Sequence, residues 1–426
     1  RMINGERNIL WPSVVRWYAK SSGTTNDKSK FLPVTPEILK GCHYKGGFDT
    51  VSIYLQNNPD SHFFASKGLI LGGSHSPSPL NRNAHCGDLS AVLLQNLNPL
   101  VNLIRVPDKK IILMDEWESK IKAIVESTWK TDVNSLSGVP SWMLVLIKAV
   151  LQKTGSEYLT DVWPNMEVFF HGGISFEPYR DQYKALIPSD RMHYMETYNA
   201  SEGFFGLQDN PEEHSLLLMI DYSVFYEFIP INEVGEEHPT VLPLEAVEVG
   251  KNYAMVITTS GGLWRYQIGD TVRFTSLYPH KFVISGRTKN FINAFGEELM
   301  VDNADKAISR VCRQTGAKVK EYTAAPLFML DKAKGRHQWM IEFEKMPPSL
   351  DDFASLLDKT LQQLNSDYEA KRYKEISLQP LEIRVAREGT FYEWLRRKGK
   401  LGGQHKIPRL SNDRTFIEEL GKICDS

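Results

Sequence analysis

Apolar positions along the chain alternate between a spacing near 3.6 residues and short unbroken runs, a pattern that predicts helices interleaved with buried strands. The T-P-E-I-L-K segment starts a helix at Pro36, where a missing N–H is no loss. Residues 51–55 and 63–71 are apolar stretches bounded by Asn, Pro and Gly, and both are expected to be buried strands. Over 116–130, Trp117, Ile121, Ile124, Val125 and Trp129 fall on one helix face. A second helix is predicted over 141–153, with Pro140 and Ser141 marking its start. Strands follow at 166–170, 216–220, 225–229 and 253–259. After Arg287 the pattern changes. A helix over 302–315, a strand over 338–344, a helix over 350–365 and a strand over 376–385 are expected there. In the 350–365 helix, Leu350, Phe353, Leu357, Leu361 and Leu364 share a face, and Asp351 and Asp352 suit its N-terminal turn. The fold class is therefore α/β: a large N-terminal α/β domain over 1–286 and a smaller α+β domain over 287–426.

A length of 426 residues allows two or three domains with real cores, and 42% hydrophobic content is ordinary for a globular chain. The 50 Lys and Arg nearly balance the 52 Asp and Glu. A net charge of −2 gives no global field to recruit nucleic acid or an anionic membrane, so any anion site must be local. Aromatic and basic residues do not interleave as nucleic-acid readers require. Cys42, Cys86, Cys312 and Cys424 form no C-x-x-C pair, so neither a disulfide framework nor a zinc site is expected, and a reducing cytoplasm is the expected compartment. The most apolar helix, over 141–151, is short and carries Lys148, which argues against a membrane span. No leader pattern opens the sequence, which begins at Arg1 and is expected to lack its natural N-terminus. No separate apolar surface stripe stands out, and a monomer is expected.

Several stretches carry candidate chemistry. Residues 21–30 read S-S-G-T-T-N-D-K-S-K. The hydroxyls of Ser21, Ser22, Thr24 and Thr25, the bare backbone at Gly23 and the charges of Lys28 and Lys30 can wrap a polyphosphate. No Gly-Lys-Ser closes it as a P-loop would, and such runs are commonly polar surface loops. His171-Gly172-Gly173, with Pro178 and Tyr179 behind, follows a strand; its glycines could admit a flat base or form a plain turn. In Tyr198-Asn199-Ala200-Ser201-Glu202-Gly203, the tyrosine face can cover an adenine ring. Glu202 is a hard ligand suited to Mg2+ among phosphates, although a Glu beside Gly is usually just solvated. In Trp264-Arg265-Tyr266-Gln267-Ile268-Gly269-Asp270, Gly269 clears space and Asp270 can accept from both ribose hydroxyls, or cap a hairpin. Arg287, in Gly286-Arg287-Thr288-Lys289, could reach a ribose or phosphate. Lys406 closes the set inside Gly402-Gly403-Gln404-His405-Lys406-Ile407-Pro408-Arg409, a glycine-rich setting where lysines are mostly solvated.

Taken in order, these stretches resemble the signatures of the adenylate-forming superfamily. The S-S-G-T-T-x-x-K-x-K loop, the L-W-R-Y-Q-I-G-D-T-V stretch and the Q-H-K-I-P-R ending are similar to the acyl acid amido synthetases of the Gretchen Hagen type. The likeness spans Ser21 to Arg409. It departs from the plant pattern at Asp27, Asn199 and Ala200, which inclines it towards microbial members. The resemblance implies that Ser21, Ser22, Gly23, Thr24, Thr25 and Lys30 hold ATP phosphates. Gly172, Gly173, Tyr198, Ser201, Asp270 and Arg287 would complete the nucleotide site, and Glu202 would bind both nucleotide and Mg2+. Catalysis would rest on Lys406, Glu202 and Thr24, with Lys406 carried on a mobile C-terminal domain.

The implied reaction joins a small-molecule carboxylic acid to an amino acid. The carboxylate attacks the α-phosphorus of ATP, pyrophosphate leaves, and an amine then displaces AMP. A rotation about 287–290 would separate the two steps. One alternative is an acyl-CoA synthetase-like thioester former, for which Arg396, Arg397, Lys398 and Lys400 are a candidate phosphate cluster. Another is a nucleotide-binding protein without turnover. The acyl pocket is expected between the domains, lined partly by the 116–130 helix and by 169–179.

Overall fold

The computed structural model describes residues 1–21, 30–73, 75–81, 84–177, 179–288, 291, 292, 294, 295, 297, 299–328, 335–372, 378–398 and 407–425. Its largest element is a twelve-stranded sheet. One half is parallel: His193–Ala200, Val168–Gly172, Val133–Gly138, Lys67–Ile70 and Arg105–Val106 lie side by side in that order. The other half is antiparallel and runs through Gly203–Leu207, Leu216–Leu218, His280–Arg287, Tyr266–Leu277, Asn252–Thr259, Val224–Pro230 and Leu242–Pro243. Direction reverses at His193–Ala200, which pairs parallel on one side and antiparallel on the other.

Helices Trp117–Thr128 and Pro140–Thr154 cover the parallel half, as their apolar stripes require. Glu116 caps the first by accepting from the N–H groups of Glu118 and Ser119, and Gly155 ends the second at φ 71°. A separate four-stranded sheet orders Lys30–Val34, Trp17–Ser21, Ala84–Gly87 and His75–Asn81. Residues 22–29 join its first two strands, so the Ser22, Gly23, Thr24, Thr25 and Asp27 positions, and Lys28, lie outside the described residues.

The C-terminal part folds around the hairpin Lys318–Phe328 and Gly335–Lys345, with Glu382–Ala386 added in parallel. Successive residues of its middle strand face opposite ways. Trp339 and Ile341 pack under helices Val301–Thr315 and Leu350–Leu364, whereas Met340 packs under Thr390–Arg397 and Thr415–Cys424. Phe353, Leu357 and Leu361 are buried along the expected stripe, and Ser349 caps that helix. Among the described residues no helix is long and apolar enough to cross a membrane.

Three expectations fail locally. Residues 51–55 belong to the helix Lys45–Asn57, not to a strand. Its buried stripe is Gly46, Thr50 and Tyr54, at helical spacing, but two of those residues are not hydrophobic and so hide the period. Gly46 is needed there because a Cβ would stand 2.4 Å from the Phe204 ring. Within 63–71 only Lys67–Ile70 is a strand; Phe63 and Phe64 form a turn held by the Asn134 side chain, which donates to the carbonyls of His62 and Phe63. The last strand is Glu382–Ala386, shorter than 376–385, while residues 376 and 377 fall outside the description.

Lys120 joins the helical layer to the sheet. It is 1% exposed, and its Nζ donates to the carbonyls of Gly72 and Gly73 beyond the Lys67–Ile70 strand. Burial lowers its pKa to about 8, against the pull of Asp88 and Asp115. The folded state then binds fewer protons at this lysine than the unfolded state between pH 8 and its ordinary 10.5. Stability should therefore rise across that window, relative to a Lys120→Met variant, when both are followed by denaturant unfolding against pH. Parallel pH curves would refute this.

Candidate active site

Three neighbouring parallel strands, Val133–Gly138, Val168–Gly172 and His193–Ala200, end at one edge of the sheet. Their carboxyl ends release Val139, then Gly173 and Ile174, then Ser201 and Glu202 into a cleft of about 760 Å3. In α/β sheets the crevice beyond such ends, where strand order reverses, is where ligands bind. The opposite wall comes from the C-terminal part, including Lys320, Glu342, Phe391, Tyr392 and Arg409.

Asp270 stands at the centre. It sits on Tyr266–Leu277 opposite Arg287 of His280–Arg287. Arg287 Nε lies 3.0 Å from Asp270 Oδ1, and the Tyr198 hydroxyl donates to Oδ2 at 2.5 Å. A carboxylate offers about four acceptor positions, so two remain for a diol such as a ribose. Gly269, at φ 88°, makes the irregularity that aims Asp270 inward, where the register against Asn252–Thr259 slips. Its role is thus conformational rather than spatial.

Glu202 is 7% exposed and faces the same cleft. Burial pushes its carboxyl up to about 7, nearby Asp270 adds to the rise, and Arg287 and Lys30 oppose it. Such a carboxylate gains from a cation. Among the described residues no three His, Cys, Asp or Glu side chains group to cage a metal. Glu202 is the residue that would hold Mg2+, an ion that takes one or two carboxylates together with substrate phosphates. Lys30 lies beside Tyr266, its Nζ 3.3 Å from the hydroxyl.

Of the other predicted residues, Gly173, Tyr198, Ser201, Asp270 and Arg287 line the cleft with Glu202. Ser21 ends a strand just before the undescribed segment. Lys406 lies outside the described residues, as does Pro178. At Gly172 a Cβ would meet the Thr197 carbonyl oxygen at 2.3 Å, so the neighbouring strand by itself demands glycine there. Gly173 is glycine for its φ of 84°. The helical wall is corrected. Trp142, Leu144, Val145 and Lys148 of Pro140–Thr154 line the cleft, whereas the Trp117–Thr128 helix lies behind, Trp117 touching Trp142 at 4.3 Å between ring centroids. Asn199, one of the departures, accepts through its Oδ1 from His43 Nδ1, 2.9 Å away.

Sequence reasoning missed the groups that join the two halves. Tyr179 donates to Glu321 at 3.3 Å and receives a bond from Arg409 at 3.3 Å. Arg409 pairs with Glu321 at 2.8 Å and lies over the Tyr322 ring. Glu177 pairs with Arg180 and, across the seam, with Arg313. Also missed was Glu196, the carboxylate of a strand that mixes His193, Thr197 and Asn199 with its apolar residues, so no break in pattern marked it. His171 is buried and stacked on Phe176 at 4.2 Å, and burial drives its pKa down to about 3, so it stays neutral.

This architecture is that of the adenylate-forming enzymes. A 2-hydroxyisobutyryl-CoA ligase in its postadenylation state matches with a TM-score of 0.57 over 97% of this chain and 77% of its own, at 11% identity. The match to a GH3.15 acyl acid amido synthetase is closer in shape, with a TM-score of 0.77 over 100% of this chain and 84% of the other, at 18% identity. Three family models match in order: the GH3 family N-terminal domain over 1–192, the central domain over 217–287 and the C-terminal domain over 302–415. The chain belongs to the GH3 family and is a ligase of the adenylate-forming kind. It is similar to the indole-3-acetic acid-amido synthetase GH3.4 of Arabidopsis thaliana, 28% identical over 96% of this chain and 70% of that protein. It also resembles the 4-substituted benzoates-glutamate ligase GH3.12 of the same plant, 27% identical over 72% of this chain and 59% of that one.

Gly172→Ala should lower stability by about 1–3 kcal/mol, because the obstructing atom is backbone and cannot rotate away. Denaturant unfolding measures it, and an unchanged midpoint would refute the packing role.

Proposed function

We propose that this protein is an ATP-dependent acyl acid amido synthetase. It adenylates a carboxylic acid with ATP and Mg2+ and passes the acyl group to the amine of an amino acid, releasing pyrophosphate and AMP. The observation that carries this reading is the constellation of Tyr198, Asp270, Arg287 and buried Glu202 at the strand ends, in one cleft with the apolar wall of Trp142, Val145 and Phe391. Asp270 would take the ribose hydroxyls, the Tyr198 ring the adenine, and Glu202 the metal, which when bound neutralises phosphate charge as pyrophosphate departs. Ser21, Ser22, Gly23, Thr24, Thr25 and Lys30 would grip the phosphates, and Lys406 would neutralise charge in the first step.

The domains are taken to divide at 286/287, with the C-terminal part turning about that point between half-reactions. Thr288 N–H already bonds the Gly269 carbonyl at 2.9 Å, so a turn there would tug on the backbone next to Asp270. The thioester alternative is weaker because three of its candidate cations have partners. Arg396 and Arg397 pair with Glu393, and Lys398 with Glu419.

The decisive measurement is pyrophosphate release with ATP, Mg2+, a library of carboxylic acids and the twenty amino acids. Acid-dependent release and an amide product are expected; ATP binding without release across the library would overturn the reading. Lys406→Ala should abolish acid-dependent ATP–pyrophosphate exchange while ATP binding largely persists, and unchanged exchange would sink that role. Asp270→Ala removes charged acceptors from a diol, and ATP affinity should fall by roughly tenfold or more in direct titration.

A further inference from the structure

Most carboxylates lining the cleft are already held. Asp270 is held by Tyr198 and Arg287, Glu177 by Arg180 and Arg313, and Glu321 by Arg409. Asp302 is held by Arg273 and Lys306, and Glu342 by Lys320. Glu196 differs. Its backbone N–H donates to Gln208, but no described residue hydrogen-bonds or ion-pairs with its carboxylate, which lines the cleft. Arg180 on the neighbouring helix is engaged by Glu177 and lies over the Phe176 ring, so it attracts Glu196 without contacting it.

Position adds to this. Glu196 and Tyr198 are two residues apart on one strand and share a face, roughly 7 Å along the strand. Tyr198 bonds the proposed ribose acceptor, so Glu196 lies within the span of an acyl-adenylate. The charged groups facing Glu196 come from both halves of the molecule: Arg180 and Glu177 from one, Asp302 of Val301–Thr315 from the other. A second substrate entering between the halves passes this carboxylate. Nothing in the adenylation step uses it, since ATP phosphates and a carboxylate substrate are both anionic and would be repelled.

Resting on the ligase reading above, we propose that Glu196 is the proton acceptor of the second half-reaction. The amine arrives as its free base, having lost the ammonium proton to solvent. Its lone pair forms the C–N bond at the acyl carbonyl, and the electron pair of the carbonyl carbon–oxygen bond to phosphate leaves with AMP. The remaining excess N–H proton passes to a Glu196 carboxylate oxygen and then to water. Desolvation places this carboxyl at about 7, with Arg180 lowering it and Asp302 and Glu177 raising it, a range suited to exchanging a proton near neutrality.

The test separates the half-reactions in Glu196→Gln. Acid-dependent ATP–pyrophosphate exchange should stay near the wild-type rate, while single-turnover amide formation from enzyme-bound acyl-adenylate should fall on the order of 10²-fold. Hydroxylamine, a nucleophile that is already unprotonated at neutral pH and sheds its proton readily, should form hydroxamate at nearly the wild-type rate. At a fixed concentration of free-base amine, the wild-type amide rate should also climb with pH through neutrality, and the variant should lose that limb. Equal loss in both half-reactions, equal loss with hydroxylamine, or no loss of amide formation would each overturn the role. Absence of acid-dependent exchange in the wild-type protein would instead overturn the ligase reading itself, and this assignment with it.

Discussion

The bond from Tyr198 to Asp270 constrains the whole large sheet. Their strands are four steps apart in the strand order, which in a flat sheet would separate them by about 19 Å. Neither side chain can bridge that distance, yet they meet at 2.5 Å. The antiparallel half must therefore curl on itself. What fills the curl is aromatic: Tyr198 packs on Phe205 and Phe282, and Phe274 packs on Phe228 and Phe282. Curl and site are thus one feature, because the closure that buries these rings also brings the 198–202 segment against Asp270.

The short strand Leu216–Leu218 makes the closure possible. It pairs with His280–Arg287 only at Phe282 and Lys281, leaving the Arg287 end free of that neighbour. Arg287 can then turn back on Asp270, and the backbone immediately after it ties to Gly269. A long strand in that place would have covered the polar group with another ladder. The cleft exists because pairing stops early. Gly172 shows the same economy on the parallel side, where the chain runs so close to Thr197 that no side chain fits and the following residues are released as a loop.

How far this was legible in the sequence differs by element. The helices over Trp117–Thr128, Pro140–Thr154, Val301–Thr315 and Leu350–Leu364 were readable because their buried positions are hydrophobic and repeat at helical spacing. Lys45–Asn57 was not, since glycine and threonine supply two of its buried contacts. Asp270, Tyr198 and Glu202 were readable as a site only through their order along the chain. No local spacing reveals that residues 72 positions apart share a hydrogen bond. The Tyr179–Glu321–Arg409 junction was illegible for the same reason, as it joins three distant segments through charges that look solvated when read one at a time.

That junction bears on how a two-step ligase can work on this frame. Glu321 and Arg409 are desolvated together, and burial raises the Glu321 carboxyl against the pull of Arg409. A buried pair of this kind adds little net stability over apolar contacts, but breaking it is costly. Only Tyr179 in the set belongs to the N-terminal part, and it is joined to the pair by two bonds of 3.3 Å. A rotation could therefore release Tyr179 while leaving the ion pair intact inside the C-terminal part. Arg409 lies three residues beyond Lys406 in the sequence, so the pair fixes the chain just after the undescribed segment. At this junction the ion pair lies inside the C-terminal part and only the two longer bonds of Tyr179 cross the seam, which the ion pairs Glu177–Arg313 and Asp302–Arg273 span elsewhere, so a turn between half-reactions would have to exchange those two pairs as well.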